Sequence, residues 1–326
     1  MMNENNIKGL KEELVGLGFS QETVDRMHES IALGITAFTL REQVQGLNGP
    51  VDLDLYFRQS SKSEYFYFNK FEVTQGKGWS LEEGQQYFVL LPSADGKLEL
   101  KLQTPRVAEA LEEFKKSDQT AKLGFGRSLE DAQLIVERVD GKLSQIPTEF
   151  IATYRNPPVT QTMWVDRGRG FTAQQAANLM EGRSVYRDDL MSQAGTPYKA
   201  WVKLDVDAER DRHHNYAMNT YNDPSYGFDL RSLLGSYPIN GMENRTISDG
   251  IIAALQNGDR ALVSIEKEGK LEPVYLEATP RFLQLNLYSK EGKALKREEY
   301  QKQVVQQVGK EKTKHQKQSV NRQMGI

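Results

Sequence analysis

The chain contains no cysteine and only four histidines. Disulfide bonds, thiolate zinc sites and cysteine nucleophiles are therefore excluded. The sequence also lacks the Gly-x-Ser-x-Gly segment that marks the nucleophile of many serine hydrolases. Its paired glycines at 124–126 and 168–170 lack the further glycine and the lysine of a phosphate-binding loop. We therefore predict no catalytic site and no cofactor.

Long apolar segments are missing as well. No stretch approaches the roughly 20 apolar residues that a membrane-spanning helix needs. The first six residues, MMNENN, are polar and differ from the basic and apolar regions of a secretory signal peptide. From these features we expect a cytoplasmic protein that makes no contact with a membrane.

Charge is plentiful, and it is unevenly distributed. The net charge is −3, but residues 293–326 contain nine Lys or Arg and three Glu, a net charge of +6, which leaves −9 on residues 1–292. A basic tail of this composition is typical of a solvated helix that frays into disorder, and such tails often bind nucleic acid weakly. The candidate contacts are Lys302, Lys310, Lys312, Lys314, Lys317 and Arg322.

The spacing of apolar residues changes along the chain. Between residues 7 and 33 they recur every three or four positions, which predicts two short helices. From Val51 onward they alternate with polar residues, as in strands. We therefore predict an α+β protein with a short helical N-terminus, two β-rich α+β units and a basic, helical or disordered C-terminal tail.

Two adjacent prolines, Pro157 and Pro158, indicate a linker because they cannot continue a helix or a strand ladder. Few apolar residues surround them, so we expect the units on either side to be separable there. The predicted divisions are a helical segment over 1–48, a first α+β unit over 49–155, a linker over 156–162, a second α+β unit over 163–290 and a basic tail over 291–326.

The second unit contains a short internal repeat. In each copy a hydroxyl residue is followed by a leucine seven positions later and by a glycine three positions after that: Thr172, Leu179 and Gly182, then Ser248, Leu255 and Gly258. This pattern predicts a helix that begins at a hydroxyl cap, ends before a glycine and leads into a strand.

One stretch is rich in groups that could bind a metal, namely Asp205, Asp207, His213 and His214. Carboxylate oxygens and imidazole nitrogens are suitable ligands if the fold brings them together. The alternative interpretation is a solvated strand edge, because acidic residues at every second position lie on one face of a strand.

A second candidate is the aromatic run over 65–71, which lies near Arg58, Lys62 and Lys70. Exposed rings such as Tyr65 and Tyr67 could stack on unpaired bases while nearby cations bind phosphate. The alternative is packing, because a strand that is covered on both faces is also rich in aromatic residues.

Two regions of the chain resemble known proteins. Residues 7–71, with LGF at 17–19, FTL at 38–40, LYFR at 55–58 and YFNK at 67–70, are similar to uncharacterised proteins of conjugative and other mobile elements in gut Bacteroidota. Residues 170–288, with FT at 171–172, LMEG at 179–182, WVKLD at 201–205 and EATPRF at 277–282, resemble a domain of unknown function from the same elements. Some relatives of that domain are described as topoisomerase-associated. The resemblance implies a genetic context and supplies no catalytic residues.

We therefore expect a non-enzymatic accessory protein of a mobile genetic element, which acts by binding nucleic acid or another protein of the element. One alternative is a DNA-processing accessory factor that binds single-stranded DNA through the tail and the aromatic strand. The other is a metal-dependent hydrolase or nuclease built on the stretch from Asp205 to His214.

Overall fold

The computed structural model describes residues 3–76, 81–82 and 84–302. These residues form seven α-helices and sixteen strands, and the strands are arranged in four antiparallel sheets. This confirms the predicted α+β class. None of these helices is long and apolar enough to cross a membrane. The helices are α1 (Glu4–Gly16), α2 (Gln21–Ala32), α3 (Val107–Lys116), α4 (Thr148–Arg155), α5 (Ala173–Met180), α6 (Leu230–Gly235) and α7 (Arg245–Gln256).

The strands of the four sheets are hydrogen-bonded to their neighbours in the following spatial orders. Sheet 1 contains β1 (Ala37–Gly46), β2 (Gly49–Gln59), β3 (Phe66–Gln75) and β9 (Val159–Trp164). A five-stranded sheet, which we call the insert sheet because its strands all lie between β3 and β9 in the sequence, contains β5 (Leu98–Thr104), β4 (Gln86–Pro92), β6 (Ala121–Gly126), β7 (Gln133–Val139) and β8 (Lys142–Leu143). Sheet 2 contains β10 (Val185–Met191), β11 (Pro197–Leu204) and β12 (Met218–Asp223). Sheet 3 contains β13 (Ala261–Lys267), β14 (Lys270–Thr279), β15 (Gln284–Tyr288) and β16 (Ala294–Leu295).

The first two helices begin at side chains that satisfy free backbone N–H groups. The side chain of Asn3 accepts a hydrogen bond from the backbone of Asn6 at 3.0 Å, and Ser20 accepts one from Thr23 at 3.3 Å. Such caps stabilise a helix start, where the first N–H groups have no partner within the helix.

The segment predicted to be helical over 1–48 also contains strand β1. This strand pairs with β2 along its whole length, from Ala37 opposite Arg58 to Gly46 opposite Gly49. The helical spacing ends before this strand, and its residues from Phe38 to Gln45 alternate in burial as a strand requires.

Strand β3 divides its aromatic side chains between the two faces of sheet 1. Phe66 and Phe68 are buried, whereas Tyr67 between them is 48% exposed. Phe71 is also buried, although strict alternation would place it with Tyr67. The reason is a register shift after Phe68, which inserts one extra residue into β3 and moves the following side chains to the opposite face.

Between β3 and β9 the chain leaves sheet 1 and forms a separate unit, residues 81–155, which we call the insert. Its two ends are adjacent, because Gln75 at the end of β3 pairs with Val159 at the start of β9. Helices α3 and α4 pack on the insert sheet around a core of their own, which includes Tyr87, Val89, Leu111, Phe114, Leu123, Val136 and Phe150.

The predicted linker over 156–162 therefore overlaps a strand of sheet 1. The core beneath sheet 1 contains residues from both sides of this range, including Leu14, Leu55, Met163 and Val202. Pro157 and Pro158 mark the return of the chain from the insert. The structural units are consequently nested, with the insert lying inside the chain that builds sheet 1.

Excision of the insert is expected to leave a folded protein. We would replace residues 76–158 with Asn-Gly, so that Gln75 and Val159 are connected by the two-residue turn that this dipeptide favours between antiparallel strands. Circular dichroism during thermal unfolding should then show a single cooperative transition. Residues 81–157 expressed alone should also fold, because their core is self-contained. Aggregation of both pieces would show that the two cores depend on each other.

A helix followed by a three-stranded antiparallel meander occurs three times. The units are α2 with β1–β3, α5 with β10–β12 and α7 with β13–β15. Each helix is followed by a glycine with a left-handed backbone, at Gly34, Gly182 and Gly258. Glycine is favoured there because it has no Cβ to clash in that conformation. The structure thus contains a third copy of the repeat, α2 with β1–β3, in addition to the two predicted ones. The sequence pattern does not reveal this copy.

The second copy of the repeat begins at a different cap from the predicted one. Thr172 does cap α5, because its side chain accepts a hydrogen bond from the backbone of Gln175 at 3.1 Å. Ser248, in contrast, lies inside α7, and the cap of that helix is Asn244, which accepts from the backbone of Thr246 at 2.9 Å. Both residue types cap helices well, so spacing alone does not select between them.

Sheet 2 lies between two hydrophobic cores. Successive residues of β11 point to opposite sides, with Val202 and Leu204 in the core beneath sheet 1 and Trp201 in the core beneath sheet 3. Helix α5 contacts sheets 1 and 2, and α7 contacts sheets 2 and 3. The repeats are therefore packed in series. Helices α1, α2 and α5 all pack on one side of sheet 1, and none of the three covers its opposite side.

Candidate functional site

The side of sheet 1 that faces away from its helices, which we call the outer face, carries its side chains in four registered rows. Cross-strand pairing places outward residues of neighbouring strands directly opposite each other. The aromatic end of the face comprises two rows: Ala37, Arg58 and Tyr67, then Thr39, Tyr56, Lys70 and Trp164. The acidic end comprises the other two rows: Arg41, Asp54, Glu72 and Thr162, then Gln43, Asp52, Thr74 and Thr160.

Two large rings are exposed at the aromatic end. Trp164 is 68% exposed and Tyr67 is 48% exposed. They border an open cavity of about 790 Å³ whose lining also includes Tyr56, Arg58 and Lys70. Bulky aromatic side chains on a protein surface are informative when they cluster beside polar groups, because such patches mark binding sites.

The charged groups at the aromatic end are both cations. The side chain of Arg58 has no hydrogen bond or ion pair with the described part of the chain. Lys70 lies over the ring of Tyr56, with its amine 4.4 Å from the ring centre. The two aromatic rows contain no carboxylate, so this end of the face is suited to an anionic ligand that also offers flat apolar groups.

Glu72, in the next row, connects the outer face to the insert. Its carboxylate accepts hydrogen bonds from the hydroxyl of Tyr56 at 3.0 Å and from the amine of Lys70 at 3.0 Å. Both of its oxygens also accept from Nη2 of Arg106, at 2.9 and 3.0 Å. Arg106 immediately precedes α3 of the insert and donates through Nη1 to Glu109 at 2.8 Å.

These contacts determine the protonation states in the cluster. Burial raises the pKa of the Glu72 carboxyl, but the hydrogen bond from Lys70 and the charge of Arg106 outweigh it and hold the pKa below its usual value. Burial, followed by the charge of Glu72, raises the pKa of the Tyr56 phenol. At neutral pH Glu72 is therefore ionised and Tyr56 keeps its proton.

At the acidic end, the carboxylates are engaged by neighbouring side chains. Asp54 accepts two hydrogen bonds from Arg41, at 2.8 and 3.0 Å, and Asp52 accepts one from the side chain of Gln43 at 2.8 Å. Asp52 has no cationic partner in this row. The acidic end therefore repels an anion more than the aromatic end does.

The aromatic residues predicted as contacts are exposed. Tyr67 belongs to the aromatic end, and Tyr65, which precedes β3, is 44% exposed. Phe66 and Phe68 pack inward, as the packing interpretation predicts, whereas Tyr65 and Tyr67 have the exposure that base stacking requires. Trp164 was not predicted, because it lies far from the run in sequence. Only the pairing of β9 with β3 places it opposite Lys70.

The predicted metal ligands do not converge. Among residues 3–76, 81–82 and 84–302, no group of three or more His, Asp or Glu side chains could hold a metal ion. Nδ1 of His214 lies 3.3 Å from a carboxylate oxygen of Glu112 in the insert. Asp211 accepts hydrogen bonds from the backbone of His213 at 2.8 Å and of Asn215 at 2.9 Å. The carboxylate of Asp211 thus shapes the loop, and Asp205 and Asp207 join no such group.

The predicted tail contacts fall mainly outside the described residues. Lys310, Lys312, Lys314, Lys317 and Arg322 lie there, whereas Lys302 is described.

The amine of Lys302 donates to the carbonyl of Gly235 at 2.8 Å, and its backbone N–H donates to Ser236 at 2.9 Å. A cation at the end of α6 interacts favourably with the free carbonyls there, so Lys302 binds the end of the described chain to this helix.

Comparison of the whole chain with protein-family models, curated proteins and solved structures finds no match.

Proposed function

We propose that this chain is a non-enzymatic binding protein that holds an unpaired nucleic-acid strand on the aromatic end of the outer face. The observation that carries the proposal is the exposure of Tyr67 and Trp164 on paired strands, beside Arg58 and Lys70. In the context that the sequence resemblance implies, it would serve as an accessory protein of a mobile element.

The chemistry of a single strand complements this surface. Unpaired bases expose flat faces that stack on aromatic side chains, and each such contact contributes about 1–3 kcal/mol. The phosphates between the bases are attracted by Arg58 and Lys70. A duplex keeps its bases stacked on one another, so the rings of Tyr67 and Trp164 cannot reach a base face.

Substitution of either ring is expected to weaken binding. We would measure fluorescence anisotropy with labelled 20-nucleotide single strands of DNA and of RNA. The chain would be truncated after Lys302, so that residues 303–326 of the predicted tail do not contribute. Tyr67→Ala and Trp164→Ala should each lower the affinity by about 5- to 150-fold, the equivalent of one lost stacking contact. The DNA and RNA arms then establish which strand is preferred.

A matched control is Phe282→Ala, which removes a ring that is 60% exposed but lies between β14 and β15. This variant should bind as the unsubstituted chain does. Equal losses for Phe282→Ala and Trp164→Ala, or equally tight binding of duplex DNA, would contradict the proposal. Single-strand binding that disappears on truncation would assign the activity to residues beyond Lys302.

A further inference from the structure

We propose that the insert regulates the outer face through Arg106, which occupies the carboxylate of Glu72 and so leaves Lys70 able to bind a phosphate of the ligand. This inference rests on the proposed function, since it concerns the strength of the same site. Arg106 is a positioning residue in this scheme, because it acts on the ligand through Glu72 and Lys70.

The geometry shows two cations sharing one carboxylate. The Glu72 side chain is only 6% exposed, and the amine of Lys70 and Nη2 of Arg106 both lie within 3.0 Å of it. A buried carboxylate needs a cationic partner, because an unpaired charge is strongly destabilised away from water. If Arg106 were absent, Lys70 would have to satisfy this need alone.

Lys70 is the member of the cluster that faces the ligand site. Its side chain is 33% exposed, it lies over Tyr56 and it lines the cavity between Tyr67 and Trp164. A lysine that a buried carboxylate fully engages is less available to a phosphate. Arg106 therefore determines how much of the Lys70 charge the outer face can offer.

The charge balance makes the inference testable. Four charged groups form the cluster, the carboxylates of Glu72 and Glu109 and the cations of Lys70 and Arg106, so their sum is zero. Arg106→Gln leaves a net charge of −1, and the double variant Glu72→Gln with Arg106→Gln returns it to zero. Glu72→Gln would also relieve the instability of an unpaired buried carboxylate, so the rescue is read as a change in affinity and salt slope at a temperature where every variant is folded.

The same anisotropy assay, on the full chain at several salt concentrations, tests the proposal. Arg106→Gln should weaken binding about 3- to 10-fold and reduce the salt slope by about 0.7, the loss of one phosphate contact on a single strand. Lys70→Gln should have the same effect, and combining it with Arg106→Gln should add nothing. Glu72→Gln in the Arg106→Gln background should restore both affinity and slope.

Two further variants control for charge and folding. Arg245→Gln removes a cation that is 93% exposed at the start of α7 and should leave binding unchanged. Lysine cannot reproduce the forked contacts of the guanidinium, but Arg106→Lys keeps a cation beside Glu72 and should bind within about twofold of the unsubstituted chain, because the inference depends on the charge. Thermal unfolding of every variant identifies any loss of fold.

The outcomes separate this inference from the function on which it rests. If Tyr67→Ala weakens binding but Arg106→Gln changes neither affinity nor salt slope, the regulatory inference is wrong and the binding face remains. If Arg106→Gln weakens binding and Glu72→Gln fails to restore it, Arg106 contacts the strand itself and the inference is again wrong. If the unsubstituted chain binds no single strand, both proposals fail together.

Discussion

Truncation of Phe68 to alanine is expected to lower the free energy of unfolding by about 3–5 kcal/mol, the usual cost of removing a buried phenylalanine. Phe68 is 2% exposed and lies in the centre of an aromatic cluster beneath sheet 1. Its ring stacks on Phe57 at 5.1 Å and meets the edge of Phe19 at 5.8 Å. The substitution therefore removes both apolar burial and two favourable ring contacts.

The matched control for this prediction is Tyr67→Ala, which alters the neighbouring residue of the same strand. Because Tyr67 points to solvent, its truncation should change stability by only about 0.5 kcal/mol. Urea unfolding followed by circular dichroism measures both variants. Equal stability losses for Phe68→Ala and Tyr67→Ala would mean that β3 is not oriented as described, and would undermine the binding face as well.

Replacement of Glu181 by alanine is expected to cost about 3–5 kcal/mol, because it leaves a buried charge without its partner. The Glu181 side chain is 1% exposed, and it pairs with Arg183, which is 7% exposed. Its two oxygens also accept hydrogen bonds from the backbone N–H groups of Leu47 at 3.0 Å and Asn48 at 2.6 Å. A single carboxylate thus joins the end of α5 to the turn between β1 and β2.

Without Glu181, the guanidinium of Arg183 would keep only its hydrogen bond to Asn178. Its Nε already has no hydrogen-bond partner among the described atoms. Glu12→Ala is a suitable control, since Glu12 forms an exposed ion pair with Lys8 at 3.9 Å. Pairs of this kind contribute about 0.3–0.5 kcal/mol, so thermal denaturation should separate the two variants clearly. Similar transition temperatures for both would show that the Glu181 network is not needed for stability.

Local sequence patterns predict the parts of this fold that depend on local chemistry. The apolar spacing of α1 and α2 and the glycines after α5 and α7 follow from the periods of helices and from backbone sterics. The alternation of Phe66, Tyr67 and Phe68 predicts that neighbouring rings lie on opposite faces of the sheet, but it does not identify the face that reaches solvent. The bulge that follows Phe68 is not visible in the pattern, because an extra residue in one strand is defined only against its partner.

The features that the sequence does not reveal depend on contacts between distant segments. Trp164 becomes part of the candidate site only because β9 pairs with β3 across the insert. Pro157 and Pro158 indicate a break in regular structure, but a break between domains and a return from an insertion look alike in sequence. Arg106 and Glu72 likewise carry no signal of their partnership until the insert is placed beside sheet 1.

The nested insert also has a consequence for the order in which the chain folds. Strands β3 and β9 pair although about 80 residues separate them in the sequence. The entropy lost in closing a flexible loop of this kind rises with its length. Both ends of the insert pack on the insert's own core, through Leu81 and Tyr154. Once that core has formed, the intervening chain no longer behaves as a long flexible loop, and Gln75 and Val159 start close together. The rate at which sheet 1 closes is therefore tied to the stability of a core to which it contributes no residue.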